Sequence, residues 1–182
     1  MRAFIAVPCP ETLRDEFMGV QAEIQLYGKM RPVDRGNIHL TLKFLGEVDE
    51  VRLGVVKEGL GFLSDVEKFR AWARGVGVFP SIDYMKVIWV GVGEGSAEIR
   101  TVQSEIDEGL DKQGFSRDRR FHSHFTLARV KSVSEKEKLR GFIEGNSRRV
   151  FGEFKVDRIM LMGSRLTPKG PRYSVVEEFL LK

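Results

Sequence analysis

A mixed helix-and-strand fold built from two related lobes is what this sequence predicts, and three observations carry it. The order strand, helix, strand, helix occurs twice. Thirty-five positions separate Phe4 from His39, and 35 separate Trp89 from His124. The tetrapeptide His39-Leu40-Thr41-Leu42 returns as His124-Phe125-Thr126-Leu127. A matched motif at a matched spacing marks an internal repeat.

Taken in order, residues 2–7 (RAFIAV) are apolar and β-rich and predict a strand, which Pro8 and Pro10 end. Leu13, Phe17, Val20 and Ile24 step at helical spacing and stop near Gly28. Residues 38–46 alternate and predict a strand; Asp49 can cap a helix running to about Leu63. Residues 69–79 and 85–92 read as strands around a turn at Pro80 to Asp83. Ile99, Val102, Ile106 and Leu110 mark a helix ending before Gly114. Residues 123–131 predict a strand, and Ser134 with Glu137 suggests a capping box for a short helix bearing Leu139, Phe142 and Ile143. Two last strands, 151–163 and 172–181, flank a turn over Thr167 to Pro171.

The chain has 182 residues and is 42% hydrophobic and 31% charged, which suits one globular domain and excludes a disordered chain. No apolar run approaches the ~20 residues that cross a bilayer, and the N-terminus lacks a signal-peptide cleavage site, so a cytoplasmic protein is expected. The single cysteine, Cys9, rules out an internal disulfide framework and a cysteine metal cluster. The net charge of +4 mildly favours an anionic partner without reaching the density of a nucleic-acid wrapper. Few Asn and Gln beside many Lys, Arg and Glu lean towards a thermophilic source.

The paired motifs carry the chemistry. Two hits among only three histidines would arise about once in 10⁵ shuffles of this composition, so composition does not explain them. In a strand, residues two apart share a face. His39, Thr41 and Lys43 are thus expected on one face, and His124 with Thr126 on the corresponding face of the second strand. Imidazole exchanges protons near neutral pH, and a threonine hydroxyl donates to an oxyanion. Two such pairs across a cleft suit in-line displacement at phosphorus. One imidazole takes a proton from water, the other gives one to the leaving oxygen, and the hydroxyls hold the non-bridging oxygens. Protein donors then carry the anion's charge, and neither metal nor cofactor is called for.

These motifs, with "MRAFIAVPCP", "HLTLKFLGEV", "HFTLARV" and "SRLTPKGPRYSVVEEFLL", resemble those of the 2H phosphoesterase superfamily. The closer resemblance is to its archaeal and bacterial RNA 2',3'-cyclic phosphodiesterase branch, historically called 2'-5' RNA ligase, and it spans nearly the whole chain. It implies an α+β, bilobal fold: two pseudo-symmetric lobes, each an antiparallel sheet with helices on its outer side, and the active-site cleft between them. Residues 1–182 would form one domain of two interleaved lobes, each giving one His-x-Thr motif. The implied activity is hydrolysis of a 2',3'-cyclic phosphate, on RNA ends or small nucleotides, to a 2'-phosphomonoester, by a monomer. By the same resemblance His39 is the general acid and His124 the general base; the residues alone leave the swap open. The alternatives are a 2'-5' ligase joining cyclic-phosphate and 5'-hydroxyl ends such as tRNA halves, and a non-catalytic binder of RNA ends or nucleotides.

Weaker candidates surround this set. Arg129 follows the second motif where the family has a phosphate-binding arginine, yet strict alternation puts it on the face opposite His124. A bulge would be needed to bring it round. Lys43 is a further candidate for substrate binding. His122 and His124 form a His-x-His pair without a third metal ligand in view, so His122 is expected at the rim. Arg117, Arg119 and Arg120 could steer an RNA terminus, and Trp72 and Trp89 are expected in the core. The "GVGEG" at 91–95 lacks the residues of a nucleotide-binding loop and is taken as a turn.

Overall fold

The computed structural model describes residues 1–168 and 170–182. Four helices and nine strands alternate along the chain: β1 (Arg2–Pro8), α1 (Glu11–Ile24), β2 (Gly28–Pro32), β3 (His39–Glu47), α2 (Glu50–Gly59), β4 (Phe69–Ser81), β5 (Tyr84–Val92), α3 (Ser96–Asp111), β6 (His124–Val133), α4 (Lys136–Gly145), β7 (Val150–Val156), β8 (Arg158–Thr167) and β9 (Gly170–Leu180). All strand pairs are antiparallel, in the order β7-β4-β5-β6-β3-β1-β8-β9, with β2 added beside β6. The order divides into two four-stranded halves, β7-β4-β5-β6 and β3-β1-β8-β9, which meet through one residue pair, Leu40 with Phe125. This is the expected α+β architecture of two related lobes.

The helices are exchanged between the halves. The apolar stripe of α1, Leu13, Phe17, Val20 and Ile24, is fully buried, but against the second half. Phe17 packs on Phe125 of β6 and Phe151 of β7, with ring centroids 5.4 and 5.8 Å away. Conversely α3, which follows β5 of the second half, lies against β3 of the first. Each half-sheet is therefore covered by a helix that the other half supplies.

Three expectations need correction. The short strand β2 has no apolar alternation and was not expected; it is held by backbone pairing to β6. The strand expected over 151–163 is two strands, interrupted at Asp157 between β7 and β8, which lie in opposite halves of the order. The capping box at Ser134 does not form. The Ser134 hydroxyl donates to the Tyr27 carbonyl, and α4 starts after Glu135 without a side-chain cap. The expected turn over Thr167 to Pro171 includes Lys169, which lies outside the described residues; Thr167 pairs with Gly170 across it. Asp49 does cap α2, accepting from the Arg52 N–H at 2.8 Å.

Candidate active site

The site is built around the junction of the two halves. Leu40 and Phe125 are paired and fully buried. Antiparallel register around that pair sets His39 across from Thr126 and Thr41 across from His124. All four are half-buried, on the face opposite Leu40, Leu42, Phe125 and Leu127. Alternation is obeyed up to Thr41 and Thr126, and the four residues expected to act together are brought together.

Both imidazoles are held the same way. His39 Nδ1 lies 2.7 Å from the Asn37 carbonyl, and His124 Nδ1 lies 2.7 Å from the His122 carbonyl. A carbonyl only accepts, so Nδ1 carries the hydrogen in each ring and Nε2 is the atom left for chemistry. Aromatic neighbours fix the ring planes. His39 stacks on Phe4 at 4.7 Å and meets the Tyr173 edge at 5.4 Å. His124 meets Phe79 edge-on at 5.0 Å, beside Trp89 at 6.0 Å.

Burial pushes the His39 pKa below its ordinary value; the bond to Asn37 opposes the shift, and the charge of His124 adds to it. Burial also lowers the His124 pKa, opposed by the bond to the His122 carbonyl and assisted by the His122 ring. Each ring is neutral more readily than in water, and a proton on His124 disfavours one on His39. An anion between them would favour retention of one proton by the pair.

Just past each threonine the strand bulges. In β3, Ala6 pairs with Thr41 but Ile5 pairs with Lys43, so Leu42 is the extra residue. In β6, Trp89 pairs with Thr126 but Ile88 pairs with Ala128, so Leu127 is the extra residue. A bulge resets the alternation of everything beyond it. It turns Arg129 outward on the histidine face, exposed and close enough to Tyr173 for its charge to bear on that hydroxyl. It turns Lys43 the other way. Lys43 is 1% exposed, donates to Asp107 of α3 and, at 2.6 Å, to the Ser116 carbonyl. Lys43 is thus a buried structural cation and not a substrate contact, and the residue on the reactive face is Phe44, 71% exposed.

A polar group from the exchanged helix pins each bulge. Asp107 of α3 holds Lys43 and also accepts the Asp118 backbone N–H, tying down the loop that leads to His124. Gln21 of α1, 2% exposed, donates at 2.7 Å to the carbonyl of the extra residue Leu127.

Other expected residues fall as follows. His122 is exposed at the rim, its ring 4.6 Å from Trp89. Trp89 is not core: Ile88 and Val90 are buried on one side of β5, and the indole between them lies on the histidine face across Gly77, where a Cβ would come within 2.3 Å of the ring. Trp72 is also only half-buried. Arg117 pairs with Asp111, while Arg119 and Arg120 are exposed. Among the described residues no three His, Cys, Asp or Glu side chains group closely enough to hold a metal ion.

The profile of the family described as LigT like phosphoesterase matches the chain twice, over residues 7–89 and again over 90–173. The chain belongs to the LigT-like phosphoesterase family. Each match contains one His-x-Thr motif, although the sheet halves interleave along the chain: β4 and most of β5 fall in the first match but belong to the half that carries His124. Among curated proteins, this LigT-like chain is 37% identical to the RNA 2',3'-cyclic phosphodiesterase of Methanocaldococcus jannaschii, over 98% of this chain and 100% of that one. It is 34% identical to the protein of the same name from Archaeoglobus fulgidus, over 98% and 99%. Among solved structures, TT0787 of Thermus thermophilus superposes with a TM-score of 0.83 at 30% identity, covering 99% of this chain and 97% of that one. E. coli LigT in its apo form superposes at 0.79 and 22% identity, over 100% and 97%, a likeness of fold.

The sheet register also corrects the repeat. The 35-residue spacing equates Phe4 with Trp89, whereas the sheet register equates Ala6 with Trp89, since these two pair with Thr41 and Thr126. The motifs are equivalent as read; the strands beside them are shifted by two residues.

Proposed function

We propose that the protein hydrolyses the 2',3'-cyclic phosphate of an RNA end or nucleotide to a 2'-phosphomonoester. Members of its family similar along their whole length carry the name RNA 2',3'-cyclic phosphodiesterase. The observation that carries the mechanism is the twin Nδ1–carbonyl lock, which leaves two Nε2 atoms free on one face beside two hydroxyls.

In the reaction, His124 Nε2 accepts a proton from water as its oxygen attacks phosphorus. The P–O3' bond breaks in line with the attack, and His39, protonated at Nε2, gives its proton to O3'. The products are a 2'-phosphomonoester and a 3'-hydroxyl. Thr41, Thr126 and Arg129 hold the non-bridging oxygens, which carry the growing negative charge. His39 is neutral in the free protein at neutral pH by virtue of its burial; the anionic substrate supplies the charge that favours its protonated form. The acid and base assignments follow the family pattern. The chain 1–182 acts as one domain, because both lobes give half the site.

The test is incubation with an oligoribonucleotide ending in a 2',3'-cyclic phosphate, with the product assigned as 2'- or 3'-monoester. A 2'-monoester supports the reading. A 3'-monoester reverses the identity of the leaving oxygen and with it the roles of the two histidines. A 2'-5'-linked joined product in the presence of a 5'-hydroxyl end identifies a ligase, and an intact substrate a binding module.

A further inference from the structure

Beyond the histidines and threonines, the strongest unassigned feature is a group of arginines without acidic partners. On β2, Arg31 stands directly across from Arg129 of β6. On the β8–β9 hairpin, Arg165 stands directly across from Arg172. Like charges placed opposite one another in an antiparallel pair are destabilising. Arg35, Arg70 and Arg149 are neutralised by carboxylates, while Arg74, Arg100 and Arg148 are unpaired among the described residues but stand across a strand pair from no other arginine. Among the described residues, Arg31, Arg129, Arg165 and Arg172 pair with no carboxylate.

Several contacts place Arg31 and Arg129 at the rim beside His39. The Arg31 guanidinium lies 3.4 Å from where a Cβ on Gly170 would stand, so it reaches the hairpin tip. The Asn37 side-chain amide donates at 3.3 Å to the Pro171 carbonyl, tying that tip to the residue whose own carbonyl holds His39. Tyr173, next along β9, touches His39 and feels the charge of Arg129. The unneutralised pair Arg31 and Arg129 thus flanks the entrance to the reactive face, whereas Arg165 and Arg172 alternate with Tyr173 and Ser164 and stand on the other face of the hairpin.

We propose that Arg31, beside Arg129, forms a phosphate-binding subsite for the single-stranded RNA chain that leads to the cyclic end. The proposal rests on the phosphodiesterase reading above. A phosphodiester seated on Arg31, with the reacting phosphate held by Arg129 across from it, turns the repulsion of the two guanidiniums into attraction, and the guanidinium fork matches two phosphate oxygens at once. A cyclic mononucleotide offers only the reacting phosphate and draws nothing from Arg31. A polymer offers one further phosphate per nucleotide, so the subsite selects RNA ends over free nucleotides.

The experiment compares kcat/KM on 2',3'-cyclic AMP with kcat/KM on a short single-stranded oligoribonucleotide ending in the same cyclic group. Arg31→Gln is expected to lower the oligonucleotide-to-mononucleotide ratio by about tenfold and to flatten the log–log salt dependence on the oligonucleotide by about 0.7. Because Arg31→Gln removes a repulsion, its Tm should hold or rise, which a merely structural arginine would not show. An unchanged ratio and slope, or an equal loss on both substrates, overturns the subsite while leaving the phosphodiesterase reading intact. Should the wild type cleave neither substrate, that reading fails by itself. Fluorescence anisotropy with an oligoribonucleotide ending in a 2'-phosphate then decides the subsite: a salt slope flattened by Arg31→Gln supports it, and an unaltered slope overturns it.

Discussion

The two motif strands share one backbone plan and differ in what the plan presents. Each has a half-buried histidine, a half-buried threonine and a bulge at the next residue. Beyond the bulge, β3 buries Lys43 and exposes Phe44, while β6 buries Ala128 and exposes Arg129. Across the sheet from the threonines stand Ala6 on one side and the broad indole of Trp89 on the other. The two His-Thr pairs are thus symmetric and their surroundings are not. A two-fold arrangement of acid and base suits attack and departure on opposite sides of phosphorus, whereas the nucleoside attached to that phosphorus has no such symmetry. The cationic side, with Arg129, suits phosphate; the aromatic groups suit the rest of the nucleotide.

The largest expected effect tests the symmetric part. His39→Ala and His124→Ala should each lower kcat on a cyclic-phosphate oligonucleotide by about 10²–10⁴-fold, with far-UV circular dichroism unchanged. A large loss in one and a small loss in the other would break the proposed equivalence.

Next in size is the comparison of the two bulge anchors, read by urea unfolding. Lys43→Met strands the buried Asp107 carboxylate and should cost about 3–5 kcal/mol. Pairing it with Asp107→Leu should recover part of that loss, since no buried charge is then left unpaired. Gln21→Leu leaves the Leu127 carbonyl with its bond from the Val33 N–H alone and should cost about 1–3 kcal/mol. An equal cost for Lys43→Met and Gln21→Leu would show that charge adds nothing to the first anchor. The threonines come third. Thr41→Ala and Thr126→Ala should each remove about 1.5–3 kcal/mol of transition-state stabilisation, the scale of a hydrogen bond to a charged group, measured as kcat/KM.

The smallest effect is on stability against pH. The folded pKa of His39 and of His124 lies below the ordinary 6.5, so the unfolded chain binds more protons as the pH falls through that value. Both groups contribute stability that is present above about pH 6.5 and lost below it. The urea midpoint should fall between pH 7 and pH 5, less steeply in His39→Asn, and inorganic phosphate should offset the fall by favouring a shared proton. A midpoint that rises on acidification would contradict the burial of these rings.

Much of this plan could be read from the sequence, because alternation and helical spacing record which side of an element is dry. His39, Thr41, His124 and Thr126 were found that way. What alternation cannot record is an extra residue, so alternation alone sets Lys43 on the wrong face, and only the bulge in β6 brings Arg129 round to the histidine side. Trp89 was readable in principle. It stands between Ile88 and Val90, and the period of two that placed the histidines also places it outward. Arg31 was not readable, because β2 forms from Gly, Lys, Met, Arg and Pro with no apolar pattern, and its place beside Arg129 exists only once the strands pair. Nor does helical spacing say which sheet a helix will cover, so the exchange of α1 and α3 was invisible.

That exchange sets what a cut chain can do. Severed in the turn between β5 and α3, the N-terminal piece would hold β3 and β1 without the helix that covers them, and the C-terminal piece would hold β6 and β7 without theirs. Each piece alone presents a bare apolar sheet face, and only the two mixed together can restore a dry interior and, with it, a reactive pair of imidazoles.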